Sequence, residues 1–275
     1  MAERTAELRA ANAKLKELDR FKSSFVSDVS HELRQPLTNI KTYLYLLDRG
    51  KPEKRAGYMA TLHRETDLLQ QLIEDLLHLS RLDLGKAQPL LAPLYINGLA
   101  GTLAEDRVPL AVEHGLTLQT ALAPDLPAVL ADAKMMTQVL TNLLANAMNY
   151  TPAGGTIVVS TAARRDGGGA EERGSRGDTQ YAIRNTPTEW VTFSVSDTGP
   201  GIAAEEQTRI FERFYRGEAA RQSRASGTGL GLAICQELIQ RHEGKITLES
   251  QVGQGSTFTV WLPAAKDERR MTNDE

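Results

Sequence analysis

The sequence predicts an α + α/β protein: a helical hairpin that pairs with a second copy as a dimeric four-helix bundle, followed by a two-layer α/β sandwich. Three observations carry this. Between Val29 and Asp83 apolar residues recur at alternating spacings of three and four, interrupted once at Gly50–Pro52. Beyond Gln88, alternating stretches such as Thr156–Ala163 and Val191–Ser196 exchange with helical ones. The length of 275 residues leaves room for roughly two domains of ordinary size.

Leu8, Ala11, Leu15 and Leu18 give residues 1–20 the seam of a coiled-coil helix. The seam continues through Phe21, Phe25, Val29, Leu33, Leu37, Ile40, Leu44 and Leu47. After the break a second stripe runs through Met59, Leu62, Thr66, Leu69, Ile73, Leu76, Ser80 and Asp83. Residues 21–87 therefore read as two antiparallel helices joined by a short turn. One hairpin has a single seam to bury, a poor core, so a homodimer is expected. Residues 88–265 form the second domain. Helices are expected near Ile96–Glu113, Lys134–Asn149 and Gly229–His242, and strands at Leu116–Leu122, Ala128–Leu130, Thr156–Ala163, Val191–Ser196, Lys245–Ser250 and Ser256–Leu262. Residues 164–189 are Gly-rich, charged and almost devoid of apolar side chains, which predicts an exposed, mobile insertion. Residues 266–275 read as a disordered tail.

The formal charge of −3 gives no basic field for nucleic acid, so no nucleic-acid partner is expected. The single cysteine, Cys235, lies in a helical pattern and is expected to act as a small buried hydrophobe. No run of about 18 apolar residues and no apolar signal core is present, which predicts a soluble, cytoplasmic piece.

Several short segments carry chemistry. His31 stands off the seam, two residues from Val29 and two from Leu33, and so faces water. Glu32 can take a proton from one imidazole nitrogen and leave the other as nucleophile. Pro36 removes a helical hydrogen bond and should bend the helix. In isolation such a histidine is an ordinary surface residue, as His63 and His78 are taken to be. Asn142 and Asn146, four apart, share a helical face, and an amide oxygen can ligate Mg2+ without adding negative charge beside phosphates. Asp197 ends an alternating strand just before Gly199 and Gly201; it can accept from an adenine amino group while the glycines let backbone approach the ring, although Asp-x-Gly is also a common plain turn. Gly227–Gly231 leads into a helix whose N–H groups can cradle phosphates, and no Gly-Lys-Ser/Thr follows it, so it is no P-loop. Residues 218–226 suit a lid, and Gly253 and Gly255 suit a tight hairpin first and pocket shaping second.

These segments occur in one fixed order: Ser30-His31-Glu32-Leu33-Arg34-Gln35-Pro36-Leu37, Asn142…Asn146-Ala147, Asp197-Thr198-Gly199-Pro200-Gly201-Ile202, Phe211-Glu212-Arg213-Phe214-Tyr215-Arg216, Gly227-Thr228-Gly229-Leu230-Gly231-Leu232 and Gly253-Gln254-Gly255-Ser256-Thr257-Phe258. Together they resemble the transmitter half of sensor histidine kinases of two-component systems, over nearly the whole chain. The resemblance implies autophosphorylation of His31 by ATP and Mg2+, then transfer to an aspartate of a response regulator. It assigns Asn146 to Mg2+ and Asn142 to a supporting or phosphate-side role. It assigns Tyr150, Asp197, Gly199, Gly201, Ile202, Arg216, Gly227, Thr228, Gly229, Leu230, Gly231 and Leu232 to the nucleotide. It also implies an upstream sensor, absent from this chain, which could anchor the full-length protein to a membrane. Two positions depart from the pattern. The family places Thr or Asn four residues after the phosphoacceptor to orient water for dephosphorylating the partner, and here stands Gln35, whose extra methylene moves the amide. The family's phosphate-contacting Lys before the aromatic is Asn149, and Arg216 can supply the charge instead. Two other classes compete: an ATPase of the gyrase or chaperone type without phosphotransfer, and a dimeric scaffold with a degenerate pocket.

Overall fold

The computed structural model describes residues 27, 29–83, 88–165, 189–218 and 227–265. The expected coiled-coil helix, the bulk of the expected insertion (166–188), most of the expected lid (219–226) and the tail lie outside the described residues. The chain divides into two compact units, Met1–His78 with Ser226–Thr228, and Leu79–Ala225 with Gly229–Glu275.

In the first unit, residues 29–49 form α1, continuous across a buried Pro36. Gly50 N donates to Leu46 O at 2.7 Å, a short turn at Pro52–Lys54 follows, and α2 starts at Arg55 and runs to Asp83. The buried line of α2 within this unit is Leu62, Glu65, Leu72 and Asp75. It differs from the expected stripe: Met59 and Ile73 are 44% and 47% exposed, as are Leu37 and Leu44 of α1 at 46% and 54%. Each helix carries more than one apolar edge, and a single hairpin covers one of them. Two carboxylates stand on the covered edge because each has a donor. Asn39 Nδ2 donates to Glu65 Oε2 at 3.2 Å, and Asp75 accepts from Gln71 Nε2 and Thr228 Oγ1, both at 2.8 Å. Burial pushes the Asp75 carboxyl above its ordinary value, and the two donors act in the opposite direction.

The second unit holds β1 (Ala92–Leu94), α3 (Ile96–Glu113), β2 (Thr117–Leu122), β3 (Val129–Ala131), α4 (Ala133–Tyr150), β4 (Thr156–Arg165), β5 (Glu189–Asp197), α5 (Ala204–Gln207), α6 (Gly231–Gln240), β6 (Lys245–Gln251) and β7 (Gly255–Pro263). Five strands form one sheet in the order β2-β4-β5-β7-β6, with β2 parallel to β4 and the other neighbours antiparallel. The registers put Ile157, Val159, Val191, Phe193, Val195, Phe258, Val260 and Leu262 on one face, all buried. The apolar sides of α3, α4 and α6 meet them. The opposite face is hydroxylated. Ser194 and Thr259 pair at 3.0 Å, Ser196 and Thr257 at 2.8 Å, and Trp261 Nε1 donates to Thr247 Oγ1 at 2.9 Å. Such a face satisfies its own polar groups, which is why one helical layer suffices.

The strands run slightly further than their alternation predicted. Arg164 and Arg165 pair with Trp190 and Glu189, so the interval outside the sheet is shorter than the expected 164–189 insertion. Ladder bonds form from backbone and ignore the charge of these side chains. β1, too short and Pro-bearing to show a period, pairs with β3 and was not anticipated.

Asp132 organises the entry to α4. Its Oδ1 caps the helix by accepting from Lys134 N and Met135 N at 2.9 and 3.2 Å, and its Oδ2 accepts from Leu90 N at 2.9 Å. Its own N–H donates to Nε2 of buried His242 at 3.0 Å, and the His242 Nδ1–H reaches Leu238 O at 2.7 Å. Those two bonds fix the imidazole as the neutral Nδ1–H tautomer. Cys235 is fully buried as expected, its Sγ 3.8 Å from Val139 O, where α6 meets α4.

Candidate nucleotide turn and phosphoacceptor helix

On α1, His31 and Gln35 are exposed, and Glu32 between them is half-buried. The four-residue interval puts His31 and Gln35 on one side of the helix.

In the second unit, β5 delivers Asp197 to a tight turn. Asp197 Oδ1 accepts from Gly199 N at 2.8 Å, and the Ser256 N–H also reaches this carboxylate. Burial holds the Asp197 pKa above the ordinary value of 3.8, with both N–H groups pulling the other way. Thr198 is tied back to β4 by Thr198 N to Thr156 O at 3.1 Å and Thr156 N to Thr198 Oγ1 at 2.9 Å. Two glycines are sterically required here. A Cβ on Gly255 (φ +99°) would strike the Asp197 carbonyl oxygen, and one on Gly201 (φ +70°) the Gln251 carbonyl oxygen.

The C-terminal end of α4 abuts this turn, since a Cβ on Gly199 would lie 3.2 Å from the Tyr150 carbonyl oxygen. Tyr150 is half-buried. Burial raises its phenol pKa, and the Arg216 guanidinium is near enough to oppose the rise. Asn142 donates through Nδ2 to Gly231 O at 3.3 Å, linking α4 to the first turn of α6, and both Asn142 and Asn146 are half-buried. Asn149 is exposed. Phe214 takes a left-handed conformation (φ +63°) and donates its N–H to Gly229 O at 2.9 Å, so the aromatic segment and the Gly-rich turn meet.

The second unit therefore gathers Asn142, Tyr150, Asp197, Gly199, Gly201, Ile202, Arg216, Gly229, Leu230, Gly231 and Leu232, with Asn146 one turn beyond Asn142 on the same helix. His31, Glu32, Gln35, Gly227 and Thr228 belong to the first unit, and the Thr228 hydroxyl is engaged by Asp75. Sequence reasoning missed Thr198, Gln207, Ser250 and Ser256. Of these, Thr198 and Ser256 lay within singled-out segments, and Gln207 and Ser250 did not. No three His, Cys, Asp or Glu side chains that could hold a metal ion cluster among the described residues.

Residues 21–85 match the His Kinase A (phospho-acceptor) domain, and residues 131–266 match the family of histidine kinase-, DNA gyrase B- and HSP90-like ATPases. The chain belongs to the two-component sensor histidine kinases. Within that family it is 37% identical over 260 residues to Drug sensory protein A of Synechocystis, covering 90% of this chain and 36% of that protein. It is 39% identical over 242 residues to the probable sensor histidine kinase TcrY of Mycobacterium tuberculosis, covering 87% and 45%. Full-length ShkA in complex with AMPPNP aligns with a TM-score of 0.57 at 33% identity, over 87% of this chain and 45% of that one. The Acinetobacter baumannii histidine kinase AdeS aligns at 0.61 over 86% of this chain and 98% of that one, and at 23% identity it shares the fold. This transmitter region spans less than half the length of these two curated relatives. Among its described residues no helix is long and apolar enough to cross a membrane.

Proposed function

We propose that this chain phosphorylates itself on His31 from ATP and then passes the phosphoryl group to an aspartate of a response regulator. The observation that carries the reading is the pair of family matches on one polypeptide: an ATPase of the gyrase or chaperone type has no use for a phosphoacceptor helix, and a scaffold has no use for a left-handed glycine turn built around Asp197. One imidazole nitrogen of His31 attacks the γ-phosphorus, the bond from that phosphorus to the bridging oxygen breaks, and ADP leaves. Glu32 takes the proton from the other ring nitrogen. Asp197 accepts from the adenine amino group, with Gly199, Gly201 and Ile202 beside the ring and Tyr150 against it. Gly227, Thr228, Gly229, Leu230, Gly231 and Leu232 are the residues that face the phosphates in this reading. Mg2+, held by Asn146 with Asn142 in support, supplies neutralisation of phosphate charge. Arg216 stands in for the cation missing at Asn149. The exposed apolar edge of Leu37, Leu44, Met59 and Ile73 fits cover by a second copy, as in a dimeric bundle. Gln35 is the residue on the His31 side of α1 that would orient water if the chain also dephosphorylates its partner.

The test is incubation with γ-labelled ATP and Mg2+. Label on the protein that is lost in acid and kept in alkali supports the reading; phosphate release with no label on the protein overturns it in favour of a plain ATPase.

Asp197 gives this reading a pH signature. Because its folded pKa is raised, the carboxylate is lost on acidification earlier than an ordinary aspartate, and adenine affinity should fall with it. For folding the sign is reversed: the fold favours the protonated form, so the stability this group contributes is present at acid pH and lost as pH rises through the raised value. Asp197→Asn should abolish the acid limb of ADP affinity and narrow the preference for ADP over GDP, read by calorimetric titration between about pH 4 and 8.

A further inference from the structure

The turn that carries Asp197 is bolted to the β6–β7 hairpin through one serine hydroxyl and one amide, and the geometry points to Ser250 and Gln207 as positioning residues for adenine recognition. This inference rests on the nucleotide reading above and adds to it two side chains outside all the motif segments.

Ser250 Oγ accepts from Ile202 N at 2.8 Å, donates to Gly255 O at 2.9 Å and pairs with Ser256 Oγ at 2.9 Å. With its one proton given to Gly255, the hydroxyl accepts from Ser256, so its single donor and both lone pairs are used. Gln207 Nε2 donates to Ile202 O at 2.9 Å and to Ser250 O at 3.1 Å, which uses both of its amide protons. Gly253 N donates to Pro200 O at 2.8 Å. The Pro200–Ile202 backbone is thus held at three points, and two of them run through these side chains.

The two backbone N–H groups that hold the Asp197 carboxylate, those of Gly199 and Ser256, stand at opposite ends of this network. Ser250 is the atom common to both ends: it grips Ile202 beyond Gly199, and it grips Ser256 directly. Removing its hydroxyl loosens both anchors of the carboxylate together and leaves the carboxylate itself in place. Neither residue reaches Asn142, Asn146, Arg216 or His31 by any bond described above, so the effect should fall on base recognition and spare the phosphoryl step.

The test uses the purified chain with ADP and GDP as probes, by calorimetry, alongside the rate of His31 labelling against ATP concentration. Ser250→Ala and, independently, Gln207→Leu should each weaken ADP binding by about five- to tenfold, the loss of one or two ordinary hydrogen bonds. Both should shrink the ADP-over-GDP preference and raise KM for ATP, with the labelling rate at saturation kept within about twofold. Ser250→Thr, which keeps the hydroxyl, should restore ADP affinity. Ser194→Ala is the structural control, since it removes a comparable hydroxyl pair on the open sheet face and should leave ADP affinity unchanged. The inference is overturned if Ser250→Ala and Gln207→Leu bind ADP like the parent, or if Ser194→Ala weakens ADP as much. It is also overturned if ADP and GDP weaken equally. Parental affinity in both variants together with a loss in Asp197→Asn rejects the inference and leaves the nucleotide reading standing; a parent chain that binds no ADP rejects both.

Discussion

His31→Gln should yield a protein that carries no acid-labile label and still binds ATP as the parent does. The site is exposed on α1, in a different compact unit from Asp197, Tyr150 and Asn142, so the change touches neither the core nor the nucleotide turn. Glutamine is a good helix former of similar reach, and α1 should keep its stability. Its amide nitrogen has no lone pair available for attack on phosphorus, so the loss is complete in kind. Glu32→Gln belongs to the same experiment and should slow labelling by roughly 10²–10⁴, the usual range for a lost general base. Label that survives alkali on the His31→Gln protein would remove His31 from the role given to it.

Gly255→Val should abolish nucleotide binding and destabilise the second unit. At φ +99° a β-branched residue is strained before any contact is made, and its Cβ meets the Asp197 carbonyl oxygen, which is backbone and cannot swing aside. Relief requires the β5–β7 ladder to part at the Asp197–Ser256 register, where one N–H that holds the carboxylate is found. Strain and lost pairing together should cost on the order of 3 kcal/mol or more, and affinity for ADP should fall by far more than about tenfold. Denaturant unfolding and ADP titration check both. Gly154→Ala is a useful contrast: its φ is also positive, at +87°, but no atom lies within 4 Å of a Cβ there, so it should cost only the conformational strain.

Much of this was legible before the structure, for reasons that differ by element. α3 and α4 announce themselves by period, whereas the cap that Asp132 gives α4 shows only in the structure. β5 and β7 alternate cleanly because one face of the sheet is apolar and the other hydroxylated. The buried line of α2 was misread because Glu65 and Asp75 occupy core positions, and their burial is licensed by Asn39, Gln71 and Thr228, two of which are remote in sequence. The motif residues were found through their fixed order. Ser250 and Gln207 were not, since a serine at a strand end and a glutamine on one turn of helix carry no sign of what they bond.

The burial of Cys235 has a practical consequence. It is the only thiol in the chain, wholly shielded where α6 lies on α4, and a modifying reagent reaches it only when that seam separates. Its rate of alkylation is therefore a clock for the opening of the layer that carries both Asn142 and the first turn of α6. Every molecule contains one such clock, in the wall of the compartment whose movements matter most, and it can be read without introducing a substitution.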